Sequence, residues 1–260
     1  MLVTTSTRGQ EKLEKEARMI AEDLQLPYIK RRRFSVKQII ERAQSDFLIL
    51  VESEGIKCIF REDLKNPFFF HPSSAMFRIK RLMRGEHDPF VETAGIQQGM
   101  SILDCTLGLA SDSIVASFVT GEEGVVQGIE SNPILAYIVK KGLQHWDSEI
   151  EQMNQAMKRV QVVNEDHLSY LQRCKDHSFD VVYFDPMFEN QQLESQGISP
   201  LKRMANYHAL TLEVVNEARR VARQRVVLKD SSYSTRFEAL GFKPVERKYA
   251  SHWFGTIELE

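Results

Sequence analysis

The chain has 260 residues, 42% of them hydrophobic, and a formal net charge of −2, which suits one large α/β domain plus a small extra module and excludes a global nucleic-acid signature. Its three cysteines, Cys58, Cys105 and Cys174, show no C-x-x-C spacing, and the scattered histidines show no ligand spacing, so neither a disulfide framework nor a metal site is expected and a reducing, cytoplasmic setting is. No apolar run approaches the roughly 18–20 residues of a membrane span, the N-terminus has no signal-peptide core, and no membrane partner is expected.

Residues 1–70 read as a small α+β module. Glu11 to Leu24 is helical by pattern, with Leu13, Ala17, Ile20 and Leu24 on one face. Ser35 is placed to cap a second short helix through Arg42, which carries Val36, Ile39 and Ile40. Phe47 to Val51 and Ile56 to Phe60 are predicted strands, joined by the turn-like Ser53-Glu54-Gly55. Asn66-Pro67 and His71-Pro72 punctuate a connector, and Arg78 to Met83 starts a helix leading into the main domain, residues 71–260.

From Met100 strands and helices alternate. The predicted strands are Ser101–Cys105, Gly124–Ile129, Val160–Val163, Val181–Phe184 and Arg225–Lys229. Between them lie helices at Ser113–Phe118, Pro133–Gly142, Glu149–Lys158, Leu168–Cys174 and Leu210–Val221. This alternation implies a parallel sheet with right-handed crossovers. After a helix near Ser234 to Leu240, Pro244–Tyr249 and Trp253–Leu259 are joined by too short a link for a crossover, so they must pair antiparallel.

Chemistry-bearing residues fall at the carboxyl ends of successive strands, where open α/β sheets bind ligands. In Phe179–Phe188, F-D-V-V-Y-F-D-P-M-F, a buried strand stops on Asp185 and Pro186 forbids further ladder pairing. A carboxylate beside the aromatic Phe188 suits a planar substrate bearing an N–H, although a strand simply ending in an Asp-Pro turn gives the same pattern. In Ile102–Asp112, I-L-D-C-T-L-G-L-A-S-D, Asp104 ends a strand, Gly108 permits a tight turn near a ligand, and Asp112 sits where the next helix starts. Its single glycine fails G-x-G-x-x-G, which argues against a pyrophosphate-bearing dinucleotide. Glu130 ends V-V-Q-G-I-E and is placed to accept both hydroxyls of a ribose. Asp166 follows the next strand and suits an adenine amino edge, a helix N-cap, or both. Two basic runs, Lys30-Arg31-Arg32-Arg33 and Arg78, Lys80, Arg81, Arg84, offer a phosphate footprint or simply solvated faces. Lys229 at a strand end lines the site or forms a structural ion pair. Tyr207 and His208 face substrate or a helix surface.

Four segments, L-D-C-T-L-G-L-A-S-D (Leu103–Asp112), I-E-S-N-P (Ile129–Pro133), V-V-Y-F-D-P-M-F (Val181–Phe188) and R-V-V-L-K (Arg225–Lys229), resemble bacterial small-subunit ribosomal RNA guanine exocyclic-amine methyltransferases with a D-P-M-F signature. The resemblance covers roughly Phe70 to Glu260. It implies a Rossmann-like class I fold, a mostly parallel seven-stranded sheet with a C-terminal antiparallel hairpin. It also implies S-adenosylmethionine as cofactor, which has no phosphate and tolerates the single glycine. By the same resemblance cofactor contacts fall on Ser111 and Asp112, Glu130 and Ser131, Asp166 and His167, and Asp185, and the partner is structured ribosomal RNA; the chemistry of a guanine amine then calls for an N–H acceptor at the Asp185 carboxylate or at a backbone carbonyl in the Asp185-Pro186 turn, with Phe188 stacking on the base. The chain departs from the family at Ala110-Ser111-Asp112, where Gly-Arg-Asp is usual, and at Glu189, where a second proline is usual. The residues themselves leave open a protein or small-molecule substrate, and a cofactor- or RNA-binding protein without catalysis. They leave the oligomeric state open as well.

Overall fold

The computed structural model describes residues 1–6, 11–187, 204, 210–248 and 250–259. The chain divides into two compact units, the first built on Met1–His71 and the second beginning at Pro72.

The first unit is a four-stranded sheet in the order β1-β2-β3-β4: β1 (Leu2–Thr5), β2 (Phe47–Glu52), β3 (Gly55–Phe60) and β4 (Asp63–Phe69). Its helices are α1 (Glu11–Asp23) and α2 (Val36–Arg42). Strand alternation gives each helix a face of β2. Leu48 and Leu50 share a cluster with Ile39 and Ile40 of α2, while α1 buries Ala17, Ile20 and Ala21. The predicted Ser35 cap is a full capping box: Gln38 N donates to Ser35 Oγ at 3.2 Å and Ser35 N donates to Gln38 Oε1 at 2.9 Å.

Two strands escape the sequence reading. All four residues of β1 are buried, so it carries no alternation; it pairs parallel with β2, and its other edge is covered by Pro27–Ile29, with Val3 N donating to Pro27 O at 2.9 Å. Asn66-Pro67, read as a connector, lies inside β4. Proline is tolerated there because β4 is an edge strand, and the β3–β4 register shifts between Cys58 and Phe60.

The second unit is a seven-stranded sheet in the order β10-β11-β9-β8-β5-β6-β7. The strands are β5 (Ser101–Asp104), β6 (Val125–Glu130), β7 (Gln161–Asn164), β8 (Phe179–Phe184), β9 (Ala222–Ser231), β10 (Lys243–Val245) and β11 (His252–Glu258). β5 to β9 run parallel, and β11 is antiparallel to both β9 and β10, as the short last connection requires. β10 is shorter than the expected Pro244–Tyr249, and Tyr249 lies outside the described residues. The helices are α3 (Ser73–Leu82), α4 (Pro89–Ala94), α5 (Ser111–Thr120), α6 (Pro133–His145), α7 (Glu151–Arg159), α8 (His167–Arg173), α9 (Leu212–Val221) and α10 (Arg236–Ala239).

Alternate residues of the buried strands serve opposite faces. Leu103, Val182, Phe184, Val226 and Leu228 pack with Leu171 of α8, Val214 and Ala218 of α9, and Phe237 of α10. On the other face the Tyr183 ring lies 4.4 Å from that of Phe90 in α4. Helix α4 has only six residues and no readable periodicity, yet its ends are marked: Asp88 Oδ1 accepts from Phe90 N at 3.1 Å, Pro89 opens it, and Gly95 closes it at φ 61°. α3 begins at Ser73, five residues before the expected Arg78. Chain order reverses between β8 and β5, which puts a topological switch point there.

Gly255 in β11 has no room for a side chain: an added Cβ would lie 2.6 Å from the Phe237 ring and 3.0 Å from Phe242 Cβ, both buried. Gly255→Ala should therefore lower unfolding free energy by about 1–3 kcal/mol through overpacking. Urea denaturation followed by circular dichroism checks this; an unchanged midpoint would mean that the hairpin packs more loosely than described.

Candidate active site

The site is assembled where β5, β6, β7 and β8 end. Asp104 closes β5, fully buried. Its Oδ1 accepts from Thr106 N at 3.0 Å and its Oδ2 from Ser113 Oγ at 2.6 Å. These bonds curl the chain into the turn Cys105–Ala110. Leu107 N then donates to Ile129 O at 3.0 Å, stitching the turn to β6. Gly108 occupies the left-handed region at φ 50°, and its N donates to Glu130 Oε2 at 3.3 Å. Asn132 N donates to Glu130 Oε1 at 2.9 Å, so both oxygens of this buried carboxylate are aimed by backbone. Burial raises the Glu130 carboxyl, and the backbone donors Asn132, Gly108 and Ser131 partly offset it.

Asp166 is the N-cap of α8, its Oδ1 accepting from Ser169 N at 3.1 Å. His167 follows, its ring edge-on to Phe184 at 6.2 Å. Ser131 stands half-buried beside Glu130. Asn164 Nδ2 ties this corner together by donating to Glu130 O at 2.7 Å.

Asp185 stands at the end of β8. Its backbone N donates to Thr106 Oγ1 at 2.6 Å, so one hydroxyl joins the turn after β5 to the turn after β8. Lys229 Nζ donates to Asp185 Oδ2 at 2.7 Å. Among the described residues no hydrogen bond reaches Oδ1, and the side chain is 26% exposed. Burial raises the Asp185 carboxyl, Lys229 pulls it down, and neighbouring Asp112 raises it again.

Behind Asp185 runs a chain of alternating charges. Lys229 also approaches Asp112 Oδ2 at 3.4 Å. Asp112 Oδ1 accepts from Arg78, its Oδ2 accepts from Tyr183 Oη at 3.0 Å, and Arg78 grips Asp88 with two parallel bonds of 2.7 and 2.8 Å. Burial alone would raise the Asp112 carboxyl; Lys229 and Arg78 overcome it and hold the group well below the usual range. Burial tends to lower Arg78 and Lys229, but their carboxylate partners drive both above their ordinary values. Burial, with Lys229 second, lowers His252 at the start of β11 to about 4, so it is neutral near pH 7.

The structure thus gathers Asp104, Gly108, Glu130, Ser131, Asp166, His167 and Asp185 along one rim, with Ser111 opening α5 and Asp112 in its first turn. Asp112 does not cap α5: the N-cap position is Ala110, at φ 61°, with no side-chain bond. Phe188, Glu189, Tyr207 and His208 lie outside the described residues. Arg78, grouped by spacing with a phosphate-binding run, is a correction: it is taken up by Asp88 and Asp112, while Arg81 and Arg84 both pair with Glu86. Thr106, Tyr183 and Ser113 were missed; only their position beside strand-end acids could have flagged them. Cys105 is buried beside the site, and its thiol is pushed well above the ordinary value by burial. Among the described residues no group of acidic, histidine or cysteine side chains could hold a metal ion, and no helix is long and apolar enough to cross a membrane.

Asp104 gives a pH test. Burial lifts its carboxyl from 3.8 to about 7, with Ser113 and Thr106 opposing. The folded state therefore binds the extra proton between those values, and this stabilisation is complete below about pH 4 and lost as pH rises through about 7. Asp104→Asn keeps the site neutral throughout. Its stability relative to the parent should rise across pH 4–7 and level off above, as read by thermal melts in a buffer series; a constant difference would mean an ordinary carboxyl.

The family model described as "Putative SAM-dependent methyltransferase" matches residues 32–246. A Bacillus subtilis protein, "Uncharacterized protein YpiP", is 42% identical over 257 residues, 99% of each chain. Ribosomal RNA small subunit methyltransferase J is more distant: that of Shewanella piezotolerans is 25% identical, covering 77% of this chain and 76% of that protein. That of Buchnera aphidicola is 28% identical, covering 52% and 53%, so the chain spans about half of its length. A solved SAM-dependent methyltransferase from Neisseria gonorrhoeae matches the fold with a TM-score of 0.63 at 16% identity, covering 99% of this chain and 96% of that one. The chain belongs to the SAM-dependent methyltransferase family and is a methyltransferase that uses S-adenosylmethionine.

Proposed function

We propose that this methyltransferase acts on an exocyclic amine of guanine in ribosomal RNA, with Asp185 as the group that holds the amine. The observation that carries this reading is the asymmetric Asp185 carboxylate: Oδ2 is fixed by Lys229 at 2.7 Å, and Oδ1 has no bond from the described residues. Distant similarity to proteins named ribosomal RNA small subunit methyltransferase J supports an RNA substrate.

The donor set fits the cofactor. Glu130, its oxygens aimed by two backbone N–H groups, suits a ribose diol. Asp166 and His167 suit the adenine edge, and the turn through Asp104, Gly108 and Ser111 suits the methionine end. Bound S-adenosylmethionine supplies a methyl already made electrophilic by its sulfonium. The protein's task is then orientation. A guanine amine is a poor nucleophile because its lone pair is delocalised into the ring. Oδ1 of Asp185 accepts one N–H, which draws electron density onto the nitrogen and holds its lone pair toward the methyl, and is in place to take the proton the amine must lose. Thr106 and Lys229 keep that oxygen from swinging, and Pro186 fixes the turn that follows. Phe188 is proposed as a stacking surface for the target base.

The first unit is proposed as the RNA-docking part. Arg32 and Arg33 are exposed, whereas Lys30 pairs with Glu14 at 2.8 Å and Arg31 Nε donates to Phe34 O at 3.1 Å. Two of the four basic side chains are therefore open to phosphate.

Four measurements test the proposal. Glu130→Ala should weaken S-adenosylhomocysteine binding roughly 10- to 100-fold, the cost of a charge-assisted hydrogen bond; calorimetric titration of a folded variant with unchanged affinity would remove Glu130 from the site. Asp185→Ala should abolish methyl transfer, and single-turnover transfer of labelled methyl to ribosomal RNA would expose a near-normal rate. Reversing the charge at Arg32 and Arg33 should flatten the salt dependence of RNA binding by roughly 0.7–0.9 for each phosphate that these side chains neutralise in the parent protein. Identical slopes would make these arginines solvated surface. Mass spectrometry of ribosomal RNA nucleosides from cells with and without the protein identifies the product, and an unchanged profile points to a protein or small-molecule acceptor.

A further inference from the structure

The strand order splits the rim in two. Asp104, Glu130 and Asp166 end β5, β6 and β7 on one side of Asp185, and β9 borders β8 on the other. With the cofactor over the first half, an acceptor held at Asp185 must approach over β9. There Tyr233, two residues beyond β9, is 94% exposed.

The loop that carries this ring is pinned at several points. Asp230, buried at the end of β9, accepts from Ser231 N at 2.7 Å, from Ser234 Oγ at 2.6 Å, and from Arg236 Nε and Nη2 at 2.6 and 3.0 Å. Ser234 N donates to Ser231 O at 2.9 Å, and Ser232 N donates to Ser251 O at 3.2 Å. That last bond ties the loop to the connection between β10 and β11. Arg247 and Lys248 stand in this connection, itself held by Trp253 Nε1 donating to Arg247 O at 3.2 Å. Among the described residues neither cation has a carboxylate partner.

A fully exposed aromatic ring on a pinned loop, bonded to a connection that carries two cations without a carboxylate partner among the described residues, offers the chemistry that recognises a nucleotide: the ring takes a base face and the cations a phosphate. We propose that Tyr233 is a stacking platform for an unstacked nucleotide of the RNA acceptor, with Arg247 and Lys248 on its phosphate. This rests on the RNA reading above and adds a binding subsite on the acceptor side of Asp185.

The test uses the full chain with S-adenosylhomocysteine and a single-stranded RNA of about 12 nucleotides carrying 2-aminopurine, whose fluorescence falls on stacking. Tyr233→Ala should weaken RNA binding about 5- to 100-fold, with loss of quenching, and Tyr233→Trp should retain both. S-adenosylhomocysteine affinity should be equal in all three proteins, because so exposed a side chain supports no packing. RNA affinity unchanged in Tyr233→Ala overturns this subsite and leaves the RNA reading standing. Failure of the parent protein to bind either this RNA or ribosomal RNA overturns both.

Discussion

The placement of Asp185 depends on one largely enclosed charge chain, Asp88–Arg78–Asp112–Lys229–Asp185. Ionic groups taken from water are costly, and hydrophobic replacements of similar shape are often at least as stable, so such a chain is weak evidence for stability as such. Its value lies in geometry. Lys229 holds Asp185 Oδ2 while also approaching Asp112, and Asp112 is fixed in turn by Arg78 and the Tyr183 hydroxyl. With all five groups ionised, three carboxylates face two cations, leaving one negative charge in excess. That excess suits a cofactor that arrives with a positive charge.

The two halves of the site are coupled through Thr106. Its backbone N caps Asp104 and its hydroxyl accepts from Asp185 N, so the turn on the cofactor side and the turn on the acceptor side share one residue. Displacing either turn would strain the other. This is the local reason that the acids ending neighbouring strands act as a set.

The strand-end acids were legible because their strands are buried. Val181–Phe184 and Val125–Ile129 are largely apolar runs broken abruptly by Asp185 and Glu130, and that break survives without any tertiary information. The reversed last strand was equally legible, since a short link permits only antiparallel pairing. The burial of Arg78 was not: a basic helix position looks the same whether it faces water or two carboxylates, and its partners lie 10 and 34 residues away. β1 and β4 failed for opposite reasons, one buried throughout and the other carrying a proline that only an edge accepts. Helix α4 was marked by its ends, Asp88-Pro89 and Gly95, but too short for periodicity. Tyr233 gives no signal until its exposure is known.

Ala110 shows how a departure from the resembled family can leave a site intact. Where glycine is usual, this chain holds alanine at φ 61° and ψ 20°, a left-handed conformation that costs roughly 1–2 kcal/mol for a residue with a Cβ. The conformation persists because it is over-determined: Ala110 N donates to Leu107 O at 2.7 Å, and Ala110 O accepts from Ile114 N at 2.9 Å as the first bond of α5. The backbone path that a glycine would give is therefore kept, and Gly108 N still reaches Glu130. What differs is chemical: Ser111 stands at the entry to α5, where the resemblance implies an arginine. The positive charge nearest Asp112 then comes from Arg78 and Lys229, which arrive from α3 and β9 and face inward. Both cations are thus held by interior carboxylates, Arg78 by Asp88 and Asp112 and Lys229 by Asp112 and Asp185, so that Asp185 is oriented from β9 and not from the entry to α5.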